Sequence, residues 1–411
     1  MIAHKTSKHR LYSLVEKMMH ADPSYLDCPE ATFQYLLEQP EFIDVPNYGT
    51  LVCRYNTLSA LMTSRDFGRG EMYRLRTQEQ RLSLVELMRK HWLLYKDQPD
   101  HTRLKRLTLK ALNSYLDTEL KSKVQEVSSR LIEKINFDRP FDFYKEYAYP
   151  LPLMIILDLL GLEGSFELFH QAAQKINRTF EPNCSTEVQI AGDLAVRELK
   201  QFLEARLANP SNIVTGSLMH RLYLAFTEEG KLESYDELLF TIMLLLIAGH
   251  ETTSAFTSLA LITLVKHPDA YNYAREHPDS IPQIGEEILR LEAPVQMARR
   301  VALKDTSLCG RSFKHGEMVT GIFAAANYDP NLFDNPTVIR LGRPHPHVSF
   351  GKGAHRCLGA DLAAMEKEVV LDHIIRKFPK LTFAGPIVYK PTIVLRGVDA
   401  LPVKYQGAIN A

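Results

Sequence analysis

Between Ser234 and His267 the chain carries a segment that leaves few choices of fold. The run "LLFTIMLLLIAG", residues 238–249, is apolar on every face of a helix. A helix of that kind must be surrounded by protein. "SYDE" at 234–237 predicts a capping box in which Ser234 and Glu237 satisfy each other's backbone. "KHP" at 266–268 supplies a cationic last turn and a stop. The residues between would run roughly 45 Å at 1.5 Å per residue, through the middle of the molecule. The apolar run itself is shorter than the roughly 18 residues a bilayer needs, so no membrane span is expected.

"AGHETT", 248–253, interrupts this buried helix with polar groups. Burying them without partners would cost a few kcal/mol. Either Thr252 bonds back to a carbonyl of its own helix, or Gly249 and the adjacent hydroxyl open a kink where water or a ligand approaches.

Most of the remaining sequence also reads as helix. Apolar residues recur at three and four over 104–111, 151–161, 189–207 and 358–376. Strand-like stretches are short: 50–54, 299–303, 318–323, 391–396 and 400–405. "EHPDSIP" (276–282) and "LGRPHPH" (341–347) read as loops by their prolines. The expected architecture is mainly α with small β-sheets, in a single domain over 1–411. Its β-rich part would come mainly from the first 60 or so residues, 300–325 and 385–405.

Basic and acidic residues balance at 49 each, so whole-chain charge gives no argument for nucleic acid. The five cysteines, Cys28, Cys53, Cys184, Cys309 and Cys357, are odd in number, widely spaced and without a CxxC. That is neither a disulfide framework nor a zinc ribbon, and it suits a soluble protein of a reducing cytoplasm. The N-terminal stretch has no continuous apolar core of the secretory kind.

One cysteine stands apart. "FGKGAHRCLG", 350–359, boxes Cys357 between glycines, just before a helical pattern in which Leu358, Leu362, Met365 and Val369 share a face. Free N–H groups at a helix start favour an anion and lower a thiol's pKa. Gly351 and Gly353 allow close backbone approach. Cys357 is then either a small buried residue in a tight turn or a thiolate ligand. As a ligand it has no partner at zinc spacing, so the metal would bring its other ligands in a cofactor.

The ten residues resemble the haem-binding loop of cytochromes P450, F-G-x-G-x-H-x-C-x-G, at every fixed position. Further segments resemble the same family: "AGHETT" its A-G-x-[DE]-T-T, "EILR" (287–290) its E-x-x-R, and "DHTRLKRL" (100–107) its H-T-R-L-R. "NYDPNLFDNP" (327–336) and "LRGVDALPV" (395–403) follow in the family's order. The likeness runs from about residue 90 to the C-terminus.

The resemblance implies the P450 fold and a haem b held by Cys357 as iron ligand. Phe350 and Gly351 would pack about the thiolate, and His101, Lys105, Arg300 and His355 would hold the propionates. Lys105 departs from the family's arginine and gives a point charge in place of a bidentate fork. Arg300 is favoured over Arg299, since neighbours on a strand face opposite ways. Glu251 and Thr252 would be the acid–alcohol pair that delivers protons, with His250 facing away. Glu287, Arg290 and Arg343 would form a structural ion-pair network. Ile247, Ala248, Val295 and Met297 would line an apolar substrate pocket, with Ala293 and Pro294 beside them and further contacts from 68–90 and 165–190.

The implied reaction is O2- and electron-dependent hydroxylation or epoxidation of a hydrophobic small molecule of secondary-metabolite, terpenoid or fatty-acyl type. The chain shows no nucleotide fingerprint or iron–sulfur cysteine set. Electrons would therefore come from an NAD(P)H-linked ferredoxin or flavodoxin. Such a partner would dock on a proximal basic face made by Arg103, Lys105, Arg106, Lys110, Lys352 and Arg356, unless these form a plain solvated surface. "RDFGRGEMYRLR" at 65–76 is strongly basic, either a solvated loop or a contact for a carboxylate or carrier-borne acyl group. The alternatives are a peroxide-driven or non-oxidative haem-thiolate enzyme, or a haem sensor without turnover.

Overall fold

The computed structural model describes residues 2–70, 82–113, 118–228, 234–378 and 381–405. The apolar segment forms one helix, Tyr235–Lys266, with no break at Gly249. Its full length and composition would suffice to cross a membrane, which the shorter apolar run alone did not indicate, yet most of it is buried inside the protein. Phe240, Leu259 and Leu264 have no exposed surface. Truncating such a side chain to alanine costs about 2–5 kcal/mol.

Two expectations about this helix change. Ser234 stands at the N-cap but makes no side-chain capping bond. Glu237 instead accepts both terminal nitrogens of Arg103, at 2.9 and 2.6 Å. A bidentate charged pair outweighs a reciprocal neutral cap. The hydroxyls are carried without a kink, because Thr241, Thr252, Thr253, Thr257, Ser258 and Thr263 each donate to the carbonyl four residues earlier.

The central helix packs against Pro150–Leu160 and Ala360–Lys377. The first of these ends at Gly161, whose φ of 68° closes it in a left-handed turn. Asp100–Leu112 and Thr186–Leu207 fill the other expected helical stretches. "EHPDSIP" is not a loop: a 3-10 turn, Pro278–Ser280, runs straight into the helix Ile281–Leu291. Pro282 falls in the first turn, where no N–H is needed.

The main sheet has five strands in the order Ile43–Val45, Gly49–Val52, Met318–Ile322, Met297–Ala302, Phe67–Gly68. Gly49–Val52 and Met318–Ile322 run parallel, and the other pairs antiparallel. Residues 385–405 do not join it. Val388–Tyr389 pairs with Val398–Ala400, and Pro402–Tyr405 lies between Phe141–Asp142 and Leu381–Phe383. The stretch 391–396 is not a strand. The N–H groups of Ile393 and Val394 go to the Glu181 carboxylate, and Leu395 keeps one isolated bridge to Val295.

Candidate active site

The loop Phe350–Gly359 turns tightly because Gly351 and Gly353 adopt φ of +67° and +69°. At Gly353 a Cβ would also lie 2.5 Å from the Met62 carbonyl oxygen. The Cys357 N–H donates to the Phe350 carbonyl at 2.9 Å and closes the loop, and the helix Ala360–Lys377 starts three residues later. Phe350 packs on the main core with its ring 5.8 Å from that of His347. Cys357 is an exposed residue in dense surroundings. Burial pushes its thiol above the ordinary value, against the opposing pull of the Gly359 N–H. The lowering expected at a helix start is reversed, since one N–H does not offset the desolvation of an anion.

Beside this loop four nitrogenous side chains meet. The His101 and His355 rings lie 4.2 Å apart. Among the described residues, His101 Nε2 and His355 Nδ1 are both buried without a partner. Arg300 is 3% exposed and acts electrostatically on both histidines. Lys105 donates to the Ala354 carbonyl at 2.7 Å. Burial and then Arg300 hold His355 down to about 2. Burial likewise brings Arg300 down to about 9, helped by Arg69. Groups that depress one another in this way form a pocket suited to an anion.

On the central helix, Thr252 Oγ1 donates to the Ala248 carbonyl at 2.8 Å. The hydroxyl proton is used within the helix, while the oxygen can still accept. Ala248 is exposed, with Gly249 and Thr252 half-buried beside it on an otherwise mostly buried helix, so this face is open. Glu251 is 2% exposed and pairs with Lys390 at 2.8 Å. Burial alone would raise its pKa, but Lys390 outweighs it and the carboxyl lies below its ordinary value. His250 faces elsewhere, with its ring 4.4 Å from Tyr149 and perpendicular to it. Burial holds His250 at about 4, so it is neutral at pH 7.

The four expected pocket residues do not share one environment. Ile247 lines a cavity of about 10 Å³ with His250, Leu153 and Phe169, away from the open Ala248 face. Val295 is half-buried at the bridge to Leu395. Met297 is buried in the cluster of the N-terminal helices, with Leu51 and Ile322. Of the segment 65–90, residues 71–81 lie outside the described residues.

Glu287 binds Arg290 through both oxygens, at 2.8 and 3.0 Å, and takes Arg343 Nε at 2.9 Å. Arg290 continues to the carbonyls of Asn327, Pro336 and Val338. This network joins the helix Ile281–Leu291 to the segment leading into the cysteine loop.

A family model described as "Cytochrome P450" matches residues 103–281 and 281–384. The chain belongs to the cytochrome P450 family. It is 32% identical over 366 residues to the biotin biosynthesis cytochrome P450 of Bacillus subtilis strain 168, covering 87% of this chain and 90% of the relative. Among solved structures, CalO2 superposes with a TM-score of 0.86 at 26% identity, over 94% of this chain and 98% of that one. P450BioI, solved with a hexadec-9Z-enoic acid-ligated acyl carrier protein, superposes with a TM-score of 0.82 at 28% identity, over 93% and 100%. The fold is the P450 fold, and the protein is a haem-thiolate monooxygenase.

The residues present fit the family's haem. An exposed thiol stands at the loop, and two buried ring nitrogens and a buried guanidinium stand ready for carboxylates. Three further residues of this P450 emerge from the structure. Lys390 reaches Glu251 across 139 positions, with no local signal in the sequence. Arg69 acts on both Arg300 and His355, although its basic segment also reads as a solvated loop. The Glu366 carboxyl lies 3.2 Å from the Thr253 hydroxyl oxygen, and burial raises it to about 8. Its position one turn after Leu362, on the apolar stripe, was the available clue.

Proposed function

We propose that this P450 hydroxylates or epoxidises a hydrophobic small molecule, with a fatty-acyl chain as the favoured class and secondary metabolites or terpenoids as the wider range. The observation that carries this reading is the exposed Cys357 thiol beside buried Arg300 and the His101 Nε2 and His355 Nδ1 atoms, which have no partner among the described residues. Cys357 would ligate the iron, and His101, Lys105, Arg300 and His355 would hold the propionates. Bound there, haem supplies the oxygen chemistry: O2 with two electrons and two protons gives one oxygen atom to substrate and one to water.

The chain's own residues then do three things. Phe350 and the Gly359 N–H shelter the sulfur and set its basicity. Glu251, ionised and held by Lys390, is the carboxylate that carries protons inward, and Thr252 is the hydroxyl that passes them to the open face beside Ala248. The acyl preference rests on P450BioI, whose solved complex carries an acyl chain on its carrier protein. Electrons come from an NAD(P)H-linked ferredoxin or flavodoxin on the proximal face. Arg103 pairs with Glu237, and Arg106, Lys110 and Arg356 are the exposed members of the basic set, with Lys105 and Lys352 half-buried. The enzyme works in the cytoplasm, where its five free cysteines stay reduced.

The test is a carbon monoxide difference spectrum of the dithionite-reduced protein beside Cys357→Ser. A strongly red-shifted Soret band, lost in the variant, is the expected result. Bound haem without that band in the wild type would overturn the thiolate assignment.

A further inference from the structure

Asp97 organises a second basic element at this site. Its Oδ1 accepts the Arg69 N–H at 2.9 Å and its Oδ2 the Gly70 N–H at 2.8 Å. A Cβ on Gly68 or Gly70 would come within 2.5 or 2.9 Å of that carboxylate, so the turn is wrapped closely around it. Phe67 and Gly68 meanwhile pair with Ala302 and Val301, next to Arg300 on the same strand. These ties fix where the Arg69 side chain goes. Its guanidinium stacks 4.8 Å from the Tyr95 ring, and its Nε is buried without a partner among the described residues.

Arg69 therefore stands beside Arg300, which is buried and gives one hydrogen bond, from Nη1 to the Arg299 carbonyl at 3.0 Å. Asp97 is the acid that opposes their repulsion, but each of its oxygens already receives a backbone N–H. Two neighbouring guanidiniums in partly desolvated surroundings call for an anion between them. Lys105, whose ammonium donates to the Ala354 carbonyl, adds a further positive charge on this side of the loop.

We propose that Arg69 and Arg300 together bind a carboxylate, with Arg69 supplying the planar, two-pronged contact that Lys105 does not. The inference rests on the haem-site reading above. The carboxylate has two possible sources, a haem propionate or the acid group of a fatty-acid substrate.

The experiment uses the holoenzyme with Arg69→Met, which replaces the guanidinium over Tyr95 by an uncharged, flexible side chain, and Arg69→Lys. One arm measures the rate of haem transfer to apomyoglobin from the Soret change. The other compares binding of tetradecanoic acid and tetradecanol by spin-state shift. If the anion is a propionate, Arg69→Met loses haem roughly tenfold faster or more, and Arg69→Lys falls between it and the wild type. If the anion is the substrate's, Arg69→Met binds the acid roughly tenfold or more weakly while the alcohol is unchanged. Unchanged haem loss together with unchanged acid binding overturns the proposal. A wild type that binds no tetradecanoic acid leaves the haem arm to decide. A retained red-shifted carbon monoxide band in the variants shows that Cys357 ligation stands whichever way Arg69 falls.

Discussion

Glu366 is held in its neutral form by its position. It lies on the helix that follows the cysteine loop, 3% exposed, hydrogen-bonded to the Thr253 hydroxyl. Burial raises its pKa from 4.5 to about 8. The folded state therefore keeps a proton that the unfolded chain gives up. The stability tied to this group is complete below about 4.5 and is lost as pH rises through 8. Glu366→Gln stays neutral and can still hydrogen-bond to Thr253. Its thermal stability relative to the wild type should rise steadily between pH 4 and pH 8.5. A constant gap between wild-type and variant midpoints over that range would mean that the carboxyl ionises normally. The glycines of the loop answer to backbone geometry instead. Gly353→Ala forces a left-handed φ on alanine and sets its Cβ 2.5 Å from the Met62 carbonyl. Strain of about 1–3 kcal/mol from the φ, plus the clash, should appear as poor haem incorporation. Full haem content in that variant would show that the loop relaxes freely.

At the scale of elements, the helix Ile281–Leu291 is joined to the approach to the cysteine loop through one carboxylate. Glu287 holds Arg290, which is 1% exposed, and also Arg343 and the Arg340 N–H. Burial alone would raise its pKa, but Arg290 and Arg343 outweigh it and keep it below the ordinary value. Glu287→Ala strands a buried guanidinium and should cost about 3–5 kcal/mol in urea unfolding. A loss under about 1 kcal/mol would reduce the network to a surface pair. The E-x-x-R spacing was legible in the sequence because i and i+3 share a helix face. The third member comes from Arg343, 56 residues from Glu287, and was named on the family pattern alone.

For the whole molecule, the balanced charge total says nothing of where charge lies. Formal basicity of the proximal segments also overstates what a partner meets, since Arg103 is consumed by Glu237. Arg106→Glu with Lys110→Glu should slow ferredoxin-driven turnover at low salt, with the gap to wild type closing as ionic strength rises. Unchanged turnover at low salt would place docking elsewhere.

The long buried helix, the glycine-boxed cysteine and the i, i+3 and i, i+4 pairs could be read from residues alone. Periodicity and local backbone geometry act over a few positions, and those features need nothing more. Tertiary structure decided what depends on distant partners and on desolvation. It gave Glu237 to Arg103 in place of a cap, brought Lys390 to Glu251, and set Arg69 beside Arg300. It also turned 391–396 away from the sheet by way of Glu181 and raised the Cys357 thiol despite its place before a helix. Ion pairing and burial energies depend on what surrounds a group in space, and a linear order of residues does not contain that.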